Sequence, residues 1–366
     1  MNKSQLEKIR KLRDRIDQVD SRILKLIQQR AAFAKSIGTL KSKDPNNQSF
    51  YRPDREAKII RQVLKSNEGG LVKNEQLKYI YKELISACLS LEESLKIAYL
   101  GPEGTHSESA VIGHFGSSVQ RDPRASIDDV FKQLTTGQCN FGVVPVENSS
   151  EGVVNPTLNC LADEDVTICG ETYLSIHHYL ASGNTKDFKQ AKQIASHPQA
   201  LGQCTKWIEA NLPGIKRKMV SSTAEAAMLA SKDSNTLCIA GKLAVEKYKL
   251  HTHVKNIEDF SENRTRFLII GKDPVEKTGL DKTSLLVQTS NRPGALLELL
   301  KPFNRAKINL HRIETRPSRK SVDTHNFFID CDGHIKDKNI KLAINAIKQA
   351  GAFVRVLGSY PLEINS

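Results

Sequence analysis

Disulfide patterns, metal-ligand spacings and membrane-length apolar runs are all missing from this chain. Its seven cysteines lie scattered at positions 88, 139, 160, 169, 204, 238 and 331, an odd number with no CxxC among them. That excludes a disulfide framework and the usual zinc spacings, and it predicts reduced thiols in a cytoplasmic protein. The histidines are no better placed, because His177-His178 and His251-x-His253 lack carboxylate or thiol partners at ligand spacing. No metal is expected. Aromatic residues make up only 6% and do not interleave with the basic ones, which argues against a nucleic-acid surface. The N-terminal stretch MNKSQLEKIRKLRD is charged throughout, unlike a secretory signal, and no apolar run approaches the ~20 residues of a membrane span.

What is present describes a globular protein of several parts. With 39% apolar and 26% charged residues, a length of 366 exceeds one ordinary core, so two or three domains are expected. The net charge of +13 calls for anionic partners, and where the cations fall favours small anions over a polymer. Three regions read differently. Residues 1–94 are helical, with Ile9, Leu12, Ile16, Val19, Ile23 and Leu26 at alternating spacings of three and four. The stripe resumes at Phe33, Ile37 and Leu40 before Lys-Asp-Pro-Asn-Asn breaks it; further helices fit 54–66 and 74–95. Residues 95–273 alternate short strands (97–100, 141–146, 237–240) with helical stretches, an α/β pattern. Residues 280–366 read strand 284–288, helix 294–304, strand 308–315, strand 326–331, helix 338–350, strand 353–357, the βαββαβ order of an α+β ferredoxin-like fold. A polar linker over 272–283 joins the last two regions.

The first region carries an anomaly: Arg30 falls in the apolar seam, four residues after Leu26 and three before Phe33. A buried cation is costly without an anionic partner. Arg13 lies beside the seam, and Lys41 comes eleven residues after Arg30, about three turns on and on nearly the same face. Three such cations suit a dianion, although a coiled coil with a register-setting charge fits the helix alone. The set Arg13, Asp17, Arg30, Gly38 and Lys41, then Tyr51-Arg52-Pro53, Arg55-Glu56, Ser86-Ala87-Cys88 and Glu92, resembles the all-helical chorismate mutases. The resemblance implies three helices intertwined with a second copy in a homodimer. It assigns Arg30, and Arg13 from the partner, to the carboxylates of chorismate. Lys41 and Glu92 then flank the breaking ether bond, and Glu56 holds the ring hydroxyl with Arg55 nearby. Arg52, Cys88 and Glu92 depart from one common version of the pattern, in which aspartate, serine and glutamine stand. A glutamate donates to the ether oxygen only when protonated, so mutase activity is expected to decline as pH rises.

In the second region, Gly101-Pro102-Glu103-Gly104-Thr105-His106-Ser107 is a glycine turn before a helix, which on its own is a capped helix start or an anion site. It is not the GxGxxG fingerprint, so no nicotinamide cofactor, and no cofactor of any kind, is expected. With Pro145-Val146-Glu147-Asn148-Ser149-Ser150-Glu151-Gly152, Ser196-His197-Pro198-Gln199-Ala200-Leu201-Gly202-Gln203-Cys204 and Asn263-Arg264-Thr265-Arg266-Phe267, it resembles the prephenate dehydratases. That implies two α/β subdomains around a cleft, as in periplasmic binding proteins. Thr265 is then the residue hydrogen-bonding the leaving hydroxyl, and Thr105, Ser107, Asn148, Ser149, Gln203 and Arg266 are the candidate prephenate ligands. The sequence leaves arogenate open as a substrate in place of prephenate.

The third region carries Asn291-Arg292-Pro293-Gly294-Ala295-Leu296-Leu297 and Ile308-Asn309-Leu310, then Ile313-Glu314-Thr315-Arg316-Pro317. These resemble the phenylalanine-binding motifs of the ACT domains attached to dehydratases. The resemblance implies that L-phenylalanine binds Asn291, Pro293, Gly294, Ala295, Leu296, Asn309, Leu310, Glu314, Thr315 and Arg316 between protomers of a dimer or tetramer. Together the three resemblances describe two consecutive reactions and a sensor in one chain. A non-catalytic small-anion sensor is the rival of another class, and an RNA-binding protein is suggested only by the pI near 9.3.

Overall fold

The computed structural model describes residues 3–43, 51–183, 187–317 and 324–364. The apolar stripe folds as one helix, α1 (Lys3–Lys41), followed by α2 (Pro53–Ser66) and α3 (Asn74–Leu89). The third helix stops six residues before its expected end. The chain turns instead, and Leu95 enters the core of the next unit at 2% exposure. Only Ala34 and Gly38 of α1 are buried, so the seam of Leu12, Ile16, Val19, Ile23 and Leu26 lies open along most of the helix. The break at Lys-Asp-Pro-Asn-Asn falls mostly outside the described residues.

The α/β region forms two subdomains. In chain order the first begins β1 (Lys96–Leu100), α4 (His106–Phe115), β2 (Gln120–Arg124), α5 (Ile127–Thr135), β3 (Phe141–Asn148) and β4 (Gly152–Val153), then α6 (Asn155–Asp163) and β5 (Thr167–Ser175). The chain crosses to the second: β6 (Tyr179–Ser182), β7 (Gln193–Ser196), α7 (Pro198–Gln203), α8 (Thr205–Asn211), β8 (Lys216–Met219), α9 (Thr223–Lys232), β9 (Thr236–Ala240), α10 (Lys242–Lys247) and β10 (His251–Val254). It returns through β11 (Arg264–Gly271), which slots antiparallel between β3 and β5. The sheets run β2-β1-β3-β11-β5, with β4 on β3, and β10-β6-β9-β7-β8. Two crossovers therefore join the subdomains, 176–178 and 255–263. They are tied to each other, since Glu258 accepts from the His178 backbone N–H at 2.9 Å and pairs with His177 Nδ1 at 2.7 Å.

The last unit is β12 (Asp281–Ser290), α11 (Ala295–Arg305), β13 (Leu310–Pro317), β14 (Thr324–Asp332), α12 (Lys338–Gln349) and β15 (Phe353–Pro361) in a sheet ordered β13-β14-β12-β15. This is the expected βαββαβ order, and Gly294 turns into α11 at φ +81°, a conformation natural to glycine. Strand β12 starts earlier than its apolar pattern suggests. Lys282, read as linker, is 5% exposed and meets the Glu171 carboxylate at 2.6 Å. The sheet lies on the first α/β subdomain with a shared core, Leu286, Phe328, Leu357 and Tyr360 packing with Ile168, Leu268 and Ile270. Gly358 permits the closest approach, because a methyl there would run into the Ile168 carbonyl.

Candidate active sites

A cleft of about 720 Å³ opens between α1, α2 and α3, lined by Arg30, Lys41, Arg52, Arg55, Glu56, Cys88 and Glu92 among others. Its shape depends on a glycine. A Cβ at Gly38 would lie 2.8 Å from Glu92 Cα, so only glycine lets α1 pass the end of α3 this closely. Lys41, three residues on, then faces Glu92. Burial lowers the Lys41 ammonium below its ordinary pKa, with Glu92 pulling the other way. Burial likewise raises Glu92 above the usual carboxylate range, although Lys41, Arg55 and Arg30 draw it down. Glu56 is also raised by burial, offset in part by Lys82. Arg30 is held by donating from Nη1 to the Leu84 carbonyl at 3.3 Å.

A second polar cluster sits where the two crossovers meet. Pairing of β3 with β11 sets Thr265 opposite Asn148, and Asn148 Nδ2 donates to Thr265 Oγ1 at 2.8 Å. Asn148 Nδ2 also reaches Asn263 Oδ1 at 3.0 Å. Asn263 Nδ2 donates to Gln203 Oε1 at 3.1 Å, and His178 Nε2 reaches the same oxygen at 2.9 Å. An amide oxygen can only accept, so His178 carries its proton on Nε2 and leaves Nδ1 as a bare acceptor. Gln203 Nε2, His178 Nδ1 and His106 Nε2 are all buried without a hydrogen-bond partner among the described residues. His106 stacks edge-on to His178 with centroids 5.9 Å apart, and burial pushes its pKa down to about 3. Every member of the network is uncharged.

Sequence profiles match in three places: Chorismate mutase type II over residues 12–93, Prephenate dehydratase over 97–275 and ACT domain over 283–349. A bifunctional chorismate mutase/prephenate dehydratase of Stutzerimonas stutzeri is 46% identical, across 98% of this chain and 99% of its own. The chain belongs to that family. The Pseudomonas aeruginosa member is 45% identical over 97% and 98% of the two chains. Among solved structures, the prephenate dehydratase of Arthrobacter aurescens in complex with L-Phe superposes with a TM-score of 0.68. It is 30% identical and covers 73% of this chain and 90% of its own.

The structure gathers most of the expected residues and redirects several. Arg30, Lys41, Arg52, Arg55, Glu56, Cys88 and Glu92 share the mutase cleft. Arg52, a candidate chorismate ligand, lines that cleft with its guanidinium in a two-pronged pair with Asp54 at 3.0 and 3.1 Å. Arg13 stands 17 residues before Arg30 on the same helix, about 25 Å along its axis, and cannot reach its own cleft. In the dehydratase, Thr265, Asn148 and Gln203 meet in one network, and Ser149 borders it by accepting from the Arg264 N–H at 2.9 Å. Ser107 is buried in the first turn of α4. Thr105 is occupied as that helix's cap, donating to the Leu100 carbonyl at 3.2 Å and accepting from the Glu108 N–H at 3.5 Å.

Arg266 is the clear correction. Alternation along β11 turns it to the opposite face from Thr265. There, 5% exposed, it binds Glu171 at 2.9 Å, Asp330 at 2.5 Å and the Tyr360 hydroxyl at 3.1 Å, locking the dehydratase to the ACT sheet. Burial works against the Arg266 charge, but Tyr360, Asp330 and Glu171 outweigh it and hold the guanidinium well above its ordinary pKa. The sequence reading missed Asn263 and His178 as network members. Asn263 stood inside the quoted Asn-Arg-Thr-Arg-Phe motif, so that signal was available; His178 offered none beyond an adjacent pair of histidines. The ACT motif residues, by contrast, lie at the surface: Asn291, Pro293, Gly294, Leu296, Asn309 and Thr315 are exposed, and β13 is an edge strand. Ala295 is buried, while Leu310, Glu314 and Arg316 are half-buried.

Proposed function

We propose that the helical cleft rearranges chorismate to prephenate and that the crossover network then converts prephenate to phenylpyruvate, with L-phenylalanine as the inhibitor. The observation that carries the second step is the Asn148–Thr265 hydrogen bond. Because Thr265 Oγ1 accepts from Asn148, its own hydrogen is free to point at the substrate's departing hydroxyl. Loss of carbon dioxide supplies the electron pair that aromatises the ring as that hydroxyl leaves as hydroxide, which takes its proton from solvent. A threonine is too weak an acid for full proton transfer, so it orients and hydrogen-bonds the leaving oxygen. The Gln203 Nε2, with no partner among the described residues, suits a carboxylate or ketone oxygen of prephenate, as does Ser149 at the network's border; Ser107, in the first turn of α4, is a further candidate. Arg266 has no place in this binding set.

The first step needs no nucleophile, only a compact substrate and donors at the ether oxygen. Lys41 and a protonated Glu92 supply those donors, Arg30 and Arg55 hold carboxylate charge, and Glu56 accepts from the ring hydroxyl. Arg13 serves the cleft of a second copy. The apolar residues of α1 support such a homodimer, since Leu26 is 63% and Phe33 71% exposed in the single chain. Inhibition by phenylalanine at the ACT motifs, between protomers, is supported by the Arthrobacter aurescens relative solved with L-Phe. It is supported too by a path through this chain: Arg312 of β13 pairs with Glu147 at 3.3 Å, next to Asn148. A cytoplasmic location is supported by seven unpaired, buried cysteines, and no helix among the described residues is long and apolar enough to cross a membrane.

The test follows both steps with purified full-length protein, with and without phenylalanine. Chorismate should pass through prephenate to phenylpyruvate, with the second step slowed by the amino acid. Supplied prephenate that yields no phenylpyruvate would sink the assignment of the crossover network, and curves indifferent to millimolar phenylalanine would sink the sensing role.

A further inference from the structure

Tyr51 belongs by sequence to the mutase, yet its ring is 4% exposed inside the dehydratase core. It packs on Phe115 and Phe141 with centroids 5.0 and 5.3 Å away. Its hydroxyl meets two groups. One is His114 Nε2 at 3.0 Å, in the last turn of α4. The other is Glu56, which shares with Tyr51 the lining of the mutase cleft and of the smaller cavity behind it, and whose carboxyl, after burial, raises the phenol's pKa. Burial, with Lys82 and Lys78 nearby, keeps His114 well below its ordinary pKa and therefore neutral. A phenol has one hydrogen and a carboxylate can only accept. With the His114 proton on Nε2, Tyr51 accepts from it and keeps its own hydrogen for the neighbouring Glu56 carboxylate.

We propose that Tyr51 and His114 are positioning residues for the mutase: the dehydratase helix α4, acting through the Tyr51 hydroxyl, fixes the Glu56 carboxylate in the orientation that receives the substrate's ring hydroxyl. The inference rests on the role given to Glu56 above. Three contacts brace the same end of α4 against the mutase helix α3. Lys82 Nζ donates to the Gly113 carbonyl at 2.8 Å, Ser117 Oγ donates to Glu83 at 2.6 Å, and the Ser118 N–H donates to Ser86 Oγ at 3.2 Å. The mutase pocket is therefore buttressed by the neighbouring domain, since Tyr51 lines it and His114 bonds the Tyr51 hydroxyl. A carboxylate on a solvated helix face would otherwise sample several rotamers, and most would turn it away from the ligand.

The experiment uses the full-length chain. Tyr51→Phe keeps the packing ring and removes only the hydroxyl, so mutase kcat/KM should fall about tenfold while dehydratase kcat/KM on supplied prephenate stays within about twofold. His114→Leu should bring a similar mutase loss, and His114→Gln, whose amide can donate in place of Nε2–H, should recover most of it. The Tyr51→Phe/His114→Leu pair should be no worse than Tyr51→Phe alone, because both break one chain of hydrogen bonds. Wild-type mutase turnover in Tyr51→Phe overturns the proposal. So does a parallel loss of both activities with a lowered melting temperature, or losses that multiply in the double variant. Glu56→Gln separates the layers: if it keeps mutase turnover, the role of Glu56 fails, whereas if it alone loses turnover only the positioning inference fails.

Discussion

The mutase cleft and the dehydratase network solve opposite electrostatic problems. The mutase lines an open cleft with cations, holding Arg30, Lys41, Arg52 and Arg55 within one pocket against the carboxyls of Glu56 and Glu92. The dehydratase joins neutral groups, Thr265, Asn148, Asn263, Gln203 and His178, at the meeting of two crossovers. Its full charges sit one residue away, where Arg266 faces the regulatory sheet. Charge suits a step that must hold a flexible dianion in one shape. In the proposed dehydration a departing hydroxyl needs instead a donor whose direction is set beforehand, and neutral amides would set it without adding a field that stabilises the ground-state carboxylate.

The sharpest break of this comparison is Thr265→Ala, which should lower dehydratase kcat by about 100-fold or more and leave mutase turnover intact, as read with each substrate supplied separately. Equal losses in both assays would mean that the two sites are not separate. Arg266→Ala tests the charged face behind Thr265. It strands Asp330 and leaves Glu171 with Lys282 as its remaining cation in the buried interface, and thermal or urea unfolding should show a loss of about 3 kcal/mol with both activities fading as the fold does. A stable Arg266→Ala protein with a raised KM for prephenate would instead return the residue to the binding set. A smaller effect separates the sites by pH. Burial raises Glu92, so its protonated, donating form persists to higher pH than in a free glutamate and is lost as pH climbs through that raised value. Mutase rate should therefore fall with rising pH, and Glu92→Gln should flatten that limb without changing the dehydratase profile. An unchanged mutase limb in Glu92→Gln would move the titration to another group.

Much of this could be read from the chain before any coordinate was known. The helical stripe, the βαββαβ order and the loop motifs are local, and periodicity or turn chemistry writes them into a few adjacent residues. The element bounds that differ share one cause. The end of α3 and the start of β12 were misplaced because Leu95 and Lys282 take their partners from other units. Arg266 was grouped with Thr265 because the two are neighbours in a motif, although a strand sends neighbours to opposite faces. Thr105, one of the candidate ligands, is engaged through its hydroxyl in the turn it belongs to.

By itself the sequence determined which chemistries are available: cations placed in an apolar helical stripe, a threonine and amides in polar loops, and a glycine turn ahead of the last domain's first helix. Tertiary structure alone decided which of them meet. It set Gly38 against Glu92, Asn148 against Thr265, Arg266 against Asp330, and Tyr51 between Glu56 and His114. The reason is that such pairings join residues up to 117 positions apart, as with Asn148 and Thr265. No local pattern specifies them, and they exist only once sheet register and buried cores hold both partners in place.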